Sequence, residues 1–205
     1  MSREVDLARR LMAGDVSAFD SFVDVFRARV AHYTYLMCGQ REDAEEVAQE
    51  TLLKVFQSFD QLRDPANVRA WVFRIAKNIC HMRRRRSVFA PERELSLDEL
   101  RPSWSQDGDS RKLDIADWSE LPDRAAISSE WSRMLHSAIR ELPDAYRSVV
   151  LLRDIEEMST RETAEVLELS EDVVKTRLHR ARLAIRQILD RHLQAGAKRA
   201  TEGVV

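Results

Sequence analysis

The sequence contains few of the residues that interrupt helices or build cross-linked frameworks. Its 205 residues include only 5 Gly and 5 Pro, which predicts few turns and a mainly helical fold. The only cysteines are Cys38 and Cys80, and this pair supports neither a disulfide framework nor a zinc pattern. A reducing, cytoplasmic compartment is therefore expected.

Long apolar runs and an excess of one charge are also missing. No apolar stretch is long enough to cross a bilayer, so membrane insertion is not expected. The opening residues, MSREVDLARRLMAGD, are too rich in charge for a secretory signal. The formal net charge is -2, so only the distribution of charge along the chain can indicate a nucleic-acid partner.

The sequence shows no pattern of an active site. It has no combination of nucleophile, base and acid, no phosphate-binding loop and no metal cluster. The histidines share no ligand spacing and are scattered along the chain at His32, His81, His136, His179 and His192. We therefore expect a protein that is not an enzyme and that uses neither a metal nor a cofactor.

Composition and periodicity divide the chain into two helical blocks. Residues 1–86 carry apolar residues at spacings of three and four, as in DAEEVAQETLLKVFQSFDQL, and residues 128–193 do the same. Residues 87–127 are acidic, contain Pro and Gly and have no sustained helical period, which indicates a linker. Its Trp104 and Trp118 are expected to dock onto a domain, and residues 194–205 are expected to form a frayed tail.

The second block contains the pattern of a helix-turn-helix. Ser159 and Glu162 form a capping box before a short helix, and Ser170 caps a second helix after the tight turn 167–169. The inward stripe of that second helix consists of Val174, Leu178, Ala181, Ile185 and Ile188. The predicted fold is thus all-α, with two small helical domains joined by a long acidic linker and a helix-turn-helix in the C-terminal domain.

The exposed side of the second helix is strongly basic. No acidic residue stands between Lys175 and Arg186, whereas a solvated helix face usually alternates acids with bases. Arginine can bridge the acceptors of guanine, and both basic residue types neutralise phosphates, so this face suits the major groove of DNA. His179 has no partner at ligand spacing, which argues against a metal site there.

Several segments together resemble one protein family. STRETAEVLELSEDVVKTRLHRARLAIRQIL is similar to the promoter-reading helix-turn-helix of bacterial sigma factors of the extracytoplasmic-function (ECF) group, in the sigma-70 family. DAEEVAQETLLKVFQSFDQL resembles the family's polymerase-binding segment, and NVRAWVFRIAKNICHMRRRR resembles its segment that reads the -10 element. Both domains match in order, which is far more specific than a lone helix-turn-helix.

The resemblance implies a factor that binds core RNA polymerase, directs it to promoters through their -35 and -10 elements, and promotes DNA melting. The -35 duplex would be contacted by Lys175, Thr176, Arg177, His179, Arg180, Arg182 and Arg186. The single-stranded -10 element would be contacted by Asn67, Arg69, Trp71, Lys77, Asn78, His81, Arg83, Arg84 and Arg85. The residues that would bind the β′ clamp helices of the polymerase are Glu46, Gln49, Glu50 and Leu53. The resemblance also implies a second contact, to the β flap of the polymerase.

Other interpretations stay open from the sequence. A stand-alone helix-turn-helix regulator with a sensing or dimerisation domain would also place a basic helix on DNA, and it would bind duplex tightly without polymerase. An ordinary solvated face explains Glu46, Gln49 and Glu50, and core packing explains Trp71. The family commonly has an anti-sigma partner, and it often has Gly where Glu168 stands in the tight turn.

Overall fold

The computed structural model describes the backbone of residues 2–39, 41–86 and 124–202, and the side chains of residues 2–39, 42–83 and 131–194. Within these ranges the regular structure is entirely helical, which confirms the all-α prediction. The predicted linker lies outside the described residues up to position 123, as do Trp104 and Trp118.

Four α-helices form the N-terminal domain: α1 (Arg3–Met12), α2 (Phe19–Cys38), α3 (Arg41–Gln57) and α4 (Val68–Arg86). The helix α2 ends where Gly39 adopts a left-handed conformation with φ 82, which costs a glycine little because it has no Cβ. Before α4, the side chain of Asp64 accepts a hydrogen bond of 2.9 Å from the amide of Ala66. The core of this domain is built around Leu7, Phe22, Phe26, Val30, Leu62, Val68 and Val72.

The C-terminal domain contains α5 (Arg124–Glu141), α6 (Asp144–Val150), α7 (Thr160–Leu167) and α8 (Glu171–Glu202), with a π-helical segment, Leu151–Ile155, directly after α6. Helix α5 begins four residues before the predicted start of the second block, and the helical backbone of α8 extends to Glu202. The linker and the frayed tail stay predictions. The domain core is formed by Ala138, Leu142, Tyr146, Val149, Val150, Val174, Leu178, Ala181 and Ile188.

The two domains also share a third apolar core, which the sequence did not indicate. From the N-terminal domain it receives Tyr33, Leu36, Met37, Val47, Ala70, Phe73, Ala76, Ile79 and Cys80. From the C-terminal domain it receives Ile139, Leu151, Leu152, Met158 and Val166. The largest of these side chains, including Tyr33, Phe73 and Leu152, are at most 2% exposed. We call this contact of α2 and α4 with α5, α7 and the π-helical segment the interdomain interface.

Glu156 is the charged centre of the interdomain interface. Its carboxylate, on a residue that is 4% exposed, accepts from the guanidinium of Arg29 on α2 at 2.8 Å. Arg29 also donates to Glu4 of α1 at 2.8 Å, and Arg69 of α4 donates to the backbone carbonyl of Glu156. Burial raises the pKa of Glu156, and the charge of Arg29 offsets part of this effect.

A second set of polar contacts holds the C-terminal end of α2. Arg147 of α6, which is 7% exposed, donates to the carbonyl of Met37 at 3.1 Å. Arg140 of α5 donates to the carbonyl of Gly39, and its guanidinium lies 5.7 Å from the ring centroid of Tyr35. The end of α2 is therefore bound by two arginines of the other domain, which satisfy carbonyls that the helix itself leaves unpaired.

The interdomain interface is expected to weaken in mild acid. His32 of α2 faces His136 of α5 with ring centroids 5.3 Å apart, and burial, followed by the neighbouring imidazole, lowers the pKa of His32. The imidazole of His32 therefore binds a proton more readily when the domains are separated or the chain is unfolded than when they are packed. The contribution of His32 to the packing is therefore fully present above about pH 6.5 and is lost as pH falls below that value.

Thermal unfolding of wild type and His32→Gln at pH values of about 7.5 and 5.5 tests this expectation. The fall in the midpoint of wild type should be larger than that of His32→Gln. His179→Gln changes an exposed histidine of α8 and should respond to pH like wild type. Equal pH responses of wild type and His32→Gln would show that the histidine pair does not contribute.

Candidate nucleic-acid interfaces

The helix-turn-helix is capped at both helix starts as the sequence predicts. The amide of Glu162 donates to Ser159 Oγ at 3.1 Å, and the amide of Ser159 donates to Glu162 Oε2 at 2.7 Å, so the capping box before α7 is complete. Ser170 Oγ accepts from the amide of Val173 at 3.4 Å at the start of α8. These caps fix where α8 begins, and therefore which of its side chains face outward.

The inward and outward faces of α8 also match the prediction. Val174, Leu178, Ala181 and Ile188 are buried in the core of the C-terminal domain, and Ile185 is partly buried against it. Arg177 is half-buried, and the other side chains predicted for this face are exposed: Lys175, Thr176, His179, Arg180, Arg182 and Arg186. The basic residues are thus presented together along one helix, in a geometry that suits a DNA groove.

Two of the basic residues predicted to contact the -35 duplex have acidic partners within the domain. Arg182 binds Asp154 in a bidentate pair, with Nε to Oδ2 at 3.0 Å and Nη2 to Oδ1 at 2.6 Å. Lys175 pairs with Asp172 in the first turn of α8 at 3.1 Å. Because the bidentate pair fixes the Arg182 guanidinium, this residue has less freedom to reach a phosphate than Arg180 or Arg186.

The tight turn between α7 and α8 takes the conformation for which glycine is best suited. Glu168 has φ 57 and ψ 45, in the left-handed region, where a residue with a side chain is strained. Its carboxylate pairs with Lys77 Nζ of α4 at 3.2 Å. The non-glycine residue at this turn therefore supplies a contact between the domains.

The side chains predicted to read the -10 element lie in different environments. Asn67, Asn78 and His81 are exposed on or just before α4. Lys77 is only 13% exposed, because α4 packs against α7. Arg69 is bound to the carbonyl of Glu156, so Arg69 and Lys77 are both engaged by the C-terminal domain.

Trp71 and Arg83 have structural contacts within the N-terminal domain. Trp71 is half-buried, with its ring edge-on to Phe59 at a centroid distance of 5.9 Å, as the core-packing interpretation expects. Arg83 pairs with Asp43 at 3.2 Å and with Glu46. The hydrogen bond to Glu46 makes the larger contribution to raising the pKa of Arg83, and the hydrogen bond to Asp43 adds to it. The side chains of Arg84 and Arg85 lie outside the described residues.

The residues predicted to bind polymerase do form one exposed face of α3. Glu46, Gln49, Glu50 and Leu53 are all exposed, and Leu53 is 56% exposed. Phe56, which the periodicity assigns to the inward stripe, is also 56% exposed and meets Phe19 edge-on at 4.8 Å. The face is therefore acidic at one end and apolar at the other, and two exposed apolar side chains one turn apart favour a docking surface over a merely solvated one.

Comparison with known families matches each domain to a separate model. The model for sigma-70 region 2 matches residues 22–88, and the model for sigma-70 region 4 matches residues 132–185. The chain is 31% identical over 183 residues to the ECF RNA polymerase sigma factor SigW of Bacillus subtilis, covering 88% of this chain and 94% of that protein. The chain belongs to the ECF group of RNA polymerase sigma factors.

Further relatives agree with this assignment. The sigma factor is 28% identical over 191 residues to the RNA polymerase sigma-H factor of Pseudomonas aeruginosa, covering 91% of the chain and 94% of that protein. Among solved structures it resembles CnrH in complex with the cytosolic domain of CnrY, with a TM-score of 0.62, 25% identity, and coverage of 92% and 98% of the two chains. It shares the fold of the sigma factor RpoE of Bartonella quintana, solved with the anti-sigma factor NepR, at a TM-score of 0.59, 20% identity, and coverage of 85% and 98%.

Family membership confirms the promoter-directed function and sets aside the stand-alone regulator. As a sigma factor, the chain serves transcription initiation, and its partners are core RNA polymerase and promoter DNA. Within the described ranges, no helix is both long and apolar enough to cross a bilayer. The same residues contain no group of three or more His, Cys, Asp or Glu able to hold a metal ion.

Proposed function

We propose that the sigma factor reads the -35 duplex with the first three turns of α8. Lys175, Thr176, Arg177, His179 and Arg180 would face base edges or nearby phosphates, and Arg182 and Arg186 would lie along the backbone. The observation that supports this most is the separation of faces on α8, where a buried apolar stripe holds the helix and a basic face is exposed. The acidic partners of Lys175 and Arg182 would be exchanged for phosphates on binding.

The proposed -10 surface is formed by α4 and the turn before it. Asn67, Asn78 and His81 are already exposed, and amide and imidazole groups can hydrogen-bond to splayed bases. Trp71 is half-buried against Phe59, so it would present only the edge of its ring to the bases. The phosphates of the strand would be contacted by Arg83, Arg84 and Arg85. Arg69 and Lys77 must first leave their partners in the C-terminal domain, so binding of the -10 strand requires separation of the two domains.

The proposed polymerase contact is the exposed face of α3. Glu46, Gln49 and Glu50 would pair with basic or polar groups of the β′ clamp helices, and Leu53 with the adjoining Phe56 would supply the apolar part of the contact. A second contact, to the β flap, is proposed for the C-terminal domain. The release of Glu46 from Arg83 would leave both residues available to their respective partners.

Regulation by an anti-sigma factor is also proposed. CnrH was solved with the cytosolic domain of CnrY, and RpoE of Bartonella quintana with the anti-sigma factor NepR. A partner of this kind could hold the two domains of the present chain in a state that does not bind promoters. We further propose that the factor is cytoplasmic, carries no cofactor and has no catalytic activity of its own.

Replacement of Arg180 by Ala should weaken recognition of the -35 element. Losing one bidentate contact costs on the order of 1–3 kcal/mol, or about 5- to 150-fold in affinity. The measurement is transcription by purified core polymerase from promoters selected out of a library with the wild-type factor. Output from promoters that depend on the -35 element should fall by this factor, with polymerase binding unchanged.

Arg191→Ala is the matched control for this experiment. Arg191 also lies on α8, is 69% exposed, and pairs only at 3.8 Å with Glu141. It should transcribe like wild type. An unaltered -35 preference in Arg180→Ala, with polymerase binding intact, would remove Arg180 from the reading set. A folded wild-type chain that yields no factor-dependent transcript would contradict the function itself.

A further inference from the structure

The two cysteines of the chain lie side by side in the folded protein. Cys38 is the last residue of α2, Cys80 is in α4, and their Sγ atoms are 3.5 Å apart although they are separated by 42 positions in sequence. Both are thiols rather than halves of a disulfide in this structure. A buried cysteine is often only a small apolar side chain, but two thiols in contact form a chemical pair.

We propose that Cys38 and Cys80 form a reversible intramolecular disulfide when the protein is exposed to a peroxide. A disulfide requires sulfurs about 2.05 Å apart, so the thiols must approach by about 1.5 Å, which side-chain torsions and small helix shifts supply. This proposal is independent of the residue roles given above. In a reducing compartment such bonds form transiently, as redox responses rather than as permanent braces.

Exposure assigns different roles to the two thiols. Cys38 is half-buried, whereas Cys80 is 0% exposed. The sulfur of Cys38 therefore reacts first: it forms a bond to one peroxide oxygen as the O–O bond breaks, and water leaves, giving a sulfenic acid. The sulfur of Cys80 then attacks the Cys38 sulfur, the S–O bond breaks, and the departing oxygen takes the Cys80 proton and leaves as water.

The reaction balances without any group beyond the peroxide. The two thiols lose two electrons and two protons to become a disulfide, and hydrogen peroxide gains them to become two molecules of water. A thiol reductant reverses the change by exchange through a mixed disulfide. The factor is thus expected to exist in a dithiol form and a disulfide form.

The position of the bond joins two segments on which the interdomain interface depends. Cys38 stands between Met37 and Gly39, whose carbonyls accept hydrogen bonds from Arg147 and Arg140 of the C-terminal domain. Cys80 belongs to the core shared by both domains and lies on the helix proposed to bind the -10 strand. The cross-link therefore ties the end of α2 to α4 and restricts the N-terminal domain in both the folded and unfolded chain.

Intact-mass measurement of the full chain tests the proposal directly. The reduced protein is treated with hydrogen peroxide, denatured, and alkylated with N-ethylmaleimide. Because the chain has only 2 Cys, a monomer lighter by two hydrogen atoms and without maleimide adducts can only be the Cys38–Cys80 disulfide. Treatment with dithiothreitol before alkylation should restore two adducts.

Other mass changes in wild type would overturn the proposal. Addition of oxygen atoms with no loss of hydrogen, or disulfide-linked dimers in place of the lighter monomer, would show that the thiols do not react with each other. The midpoint of thermal unfolding should rise on oxidation by on the order of 5–10 °C and return on reduction. An unchanged or lowered midpoint would show that the bond forms only in a distorted chain, against the proposal.

Single substitutions test the order of reaction. Cys80→Ser leaves the half-buried thiol and should oxidise to a sulfenic acid or a linked dimer at a rate near that of wild type. Cys38→Ser leaves the buried thiol and should react at a rate roughly tenfold lower than that of wild type, or lower still. Equal rates in the two variants, with both shown to be folded by circular dichroism, would overturn the assignment of Cys38 as the first thiol.

Discussion

Arg147→Ala should destabilise the factor more than any other single change of a charged residue described above. The guanidinium donates to the carbonyls of Met37 at 3.1 Å, Ile139 at 3.2 Å, Arg140 at 2.5 Å and Leu142 at 2.7 Å. Three of these carbonyls lie at or just beyond the end of α5, where no later turn of helix can bind them. Alanine would remove this donor from all four carbonyls, although that of Ile139 also accepts from the amide of Leu142 at 3.2 Å. We expect a cost of about 3–5 kcal/mol.

Denaturant unfolding measures this cost, and two further variants define it. Arg161→Ala is the control. Arg161 is 79% exposed and, among the described residues, pairs with Glu165 one turn away, so its loss should cost no more than about 0.5 kcal/mol. Arg147→Lys keeps the charge but not the planar fork, and it should fall between wild type and Arg147→Ala. If Arg147→Ala unfolds with the same midpoint as Arg161→Ala, the hydrogen bonds of Arg147 contribute little.

Glu156→Ala should separate the two domains without unfolding either one. The carboxylate of Glu156 is the partner of Arg29 across the interdomain interface at 2.8 Å, and Arg29 is 27% exposed and lies 5.8 Å from the ring centroid of Phe73. Removing one member of a buried pair leaves the other charge poorly compensated, although Glu4 still binds Arg29. We expect a loss of about 2–3 kcal/mol in domain packing, which is roughly a 30- to 150-fold shift toward separated domains.

Small-angle scattering and hydrogen exchange distinguish separation from unfolding. In Glu156→Ala the radius of gyration should increase and the amides around Phe73 and Leu152 should lose protection, while helicity by circular dichroism stays near that of wild type. Glu157→Ala is the control, because Glu157 is the adjacent residue and is exposed; it should resemble wild type. An unchanged radius of gyration in Glu156→Ala would mean that the shared apolar core alone holds the domains together.

The local features of the helix-turn-helix were predictable because each depends on residues close in sequence. The capping box of Ser159 and Glu162 spans one turn, and the buried stripe from Val174 to Ile188 follows from the helical repeat. The exposed face of α3 was predictable for the same reason. The periodicity was wrong for Phe56. The apolar stripe of α3 is wider than the surface that the neighbouring helices cover, so a residue at the edge of the stripe stays exposed. Only the packing of the helices determines where that edge lies.

The special role of Glu168 could be read only in part from the sequence. A glycine was the residue expected at this turn, and the left-handed φ of 57 explains that preference. Its carboxylate binds Lys77, 91 positions earlier in the chain. A local sequence pattern does not predict such a contact. The same is true of Arg182 and Asp154, which the fold brings together across the C-terminal domain.

By itself, the sequence determined the helices, their caps, the basic face of α8 and, through its resemblance, the family. Helical periods, capping pairs and family motifs are all properties of short segments, and short segments are what a sequence displays. Only the tertiary structure decided that α4 and α7 lie together, that Arg29, Arg147 and Glu156 are structural, and that Cys38 meets Cys80. These contacts join residues far apart in the chain, and the burial that gives them their energy exists only after the two domains have packed.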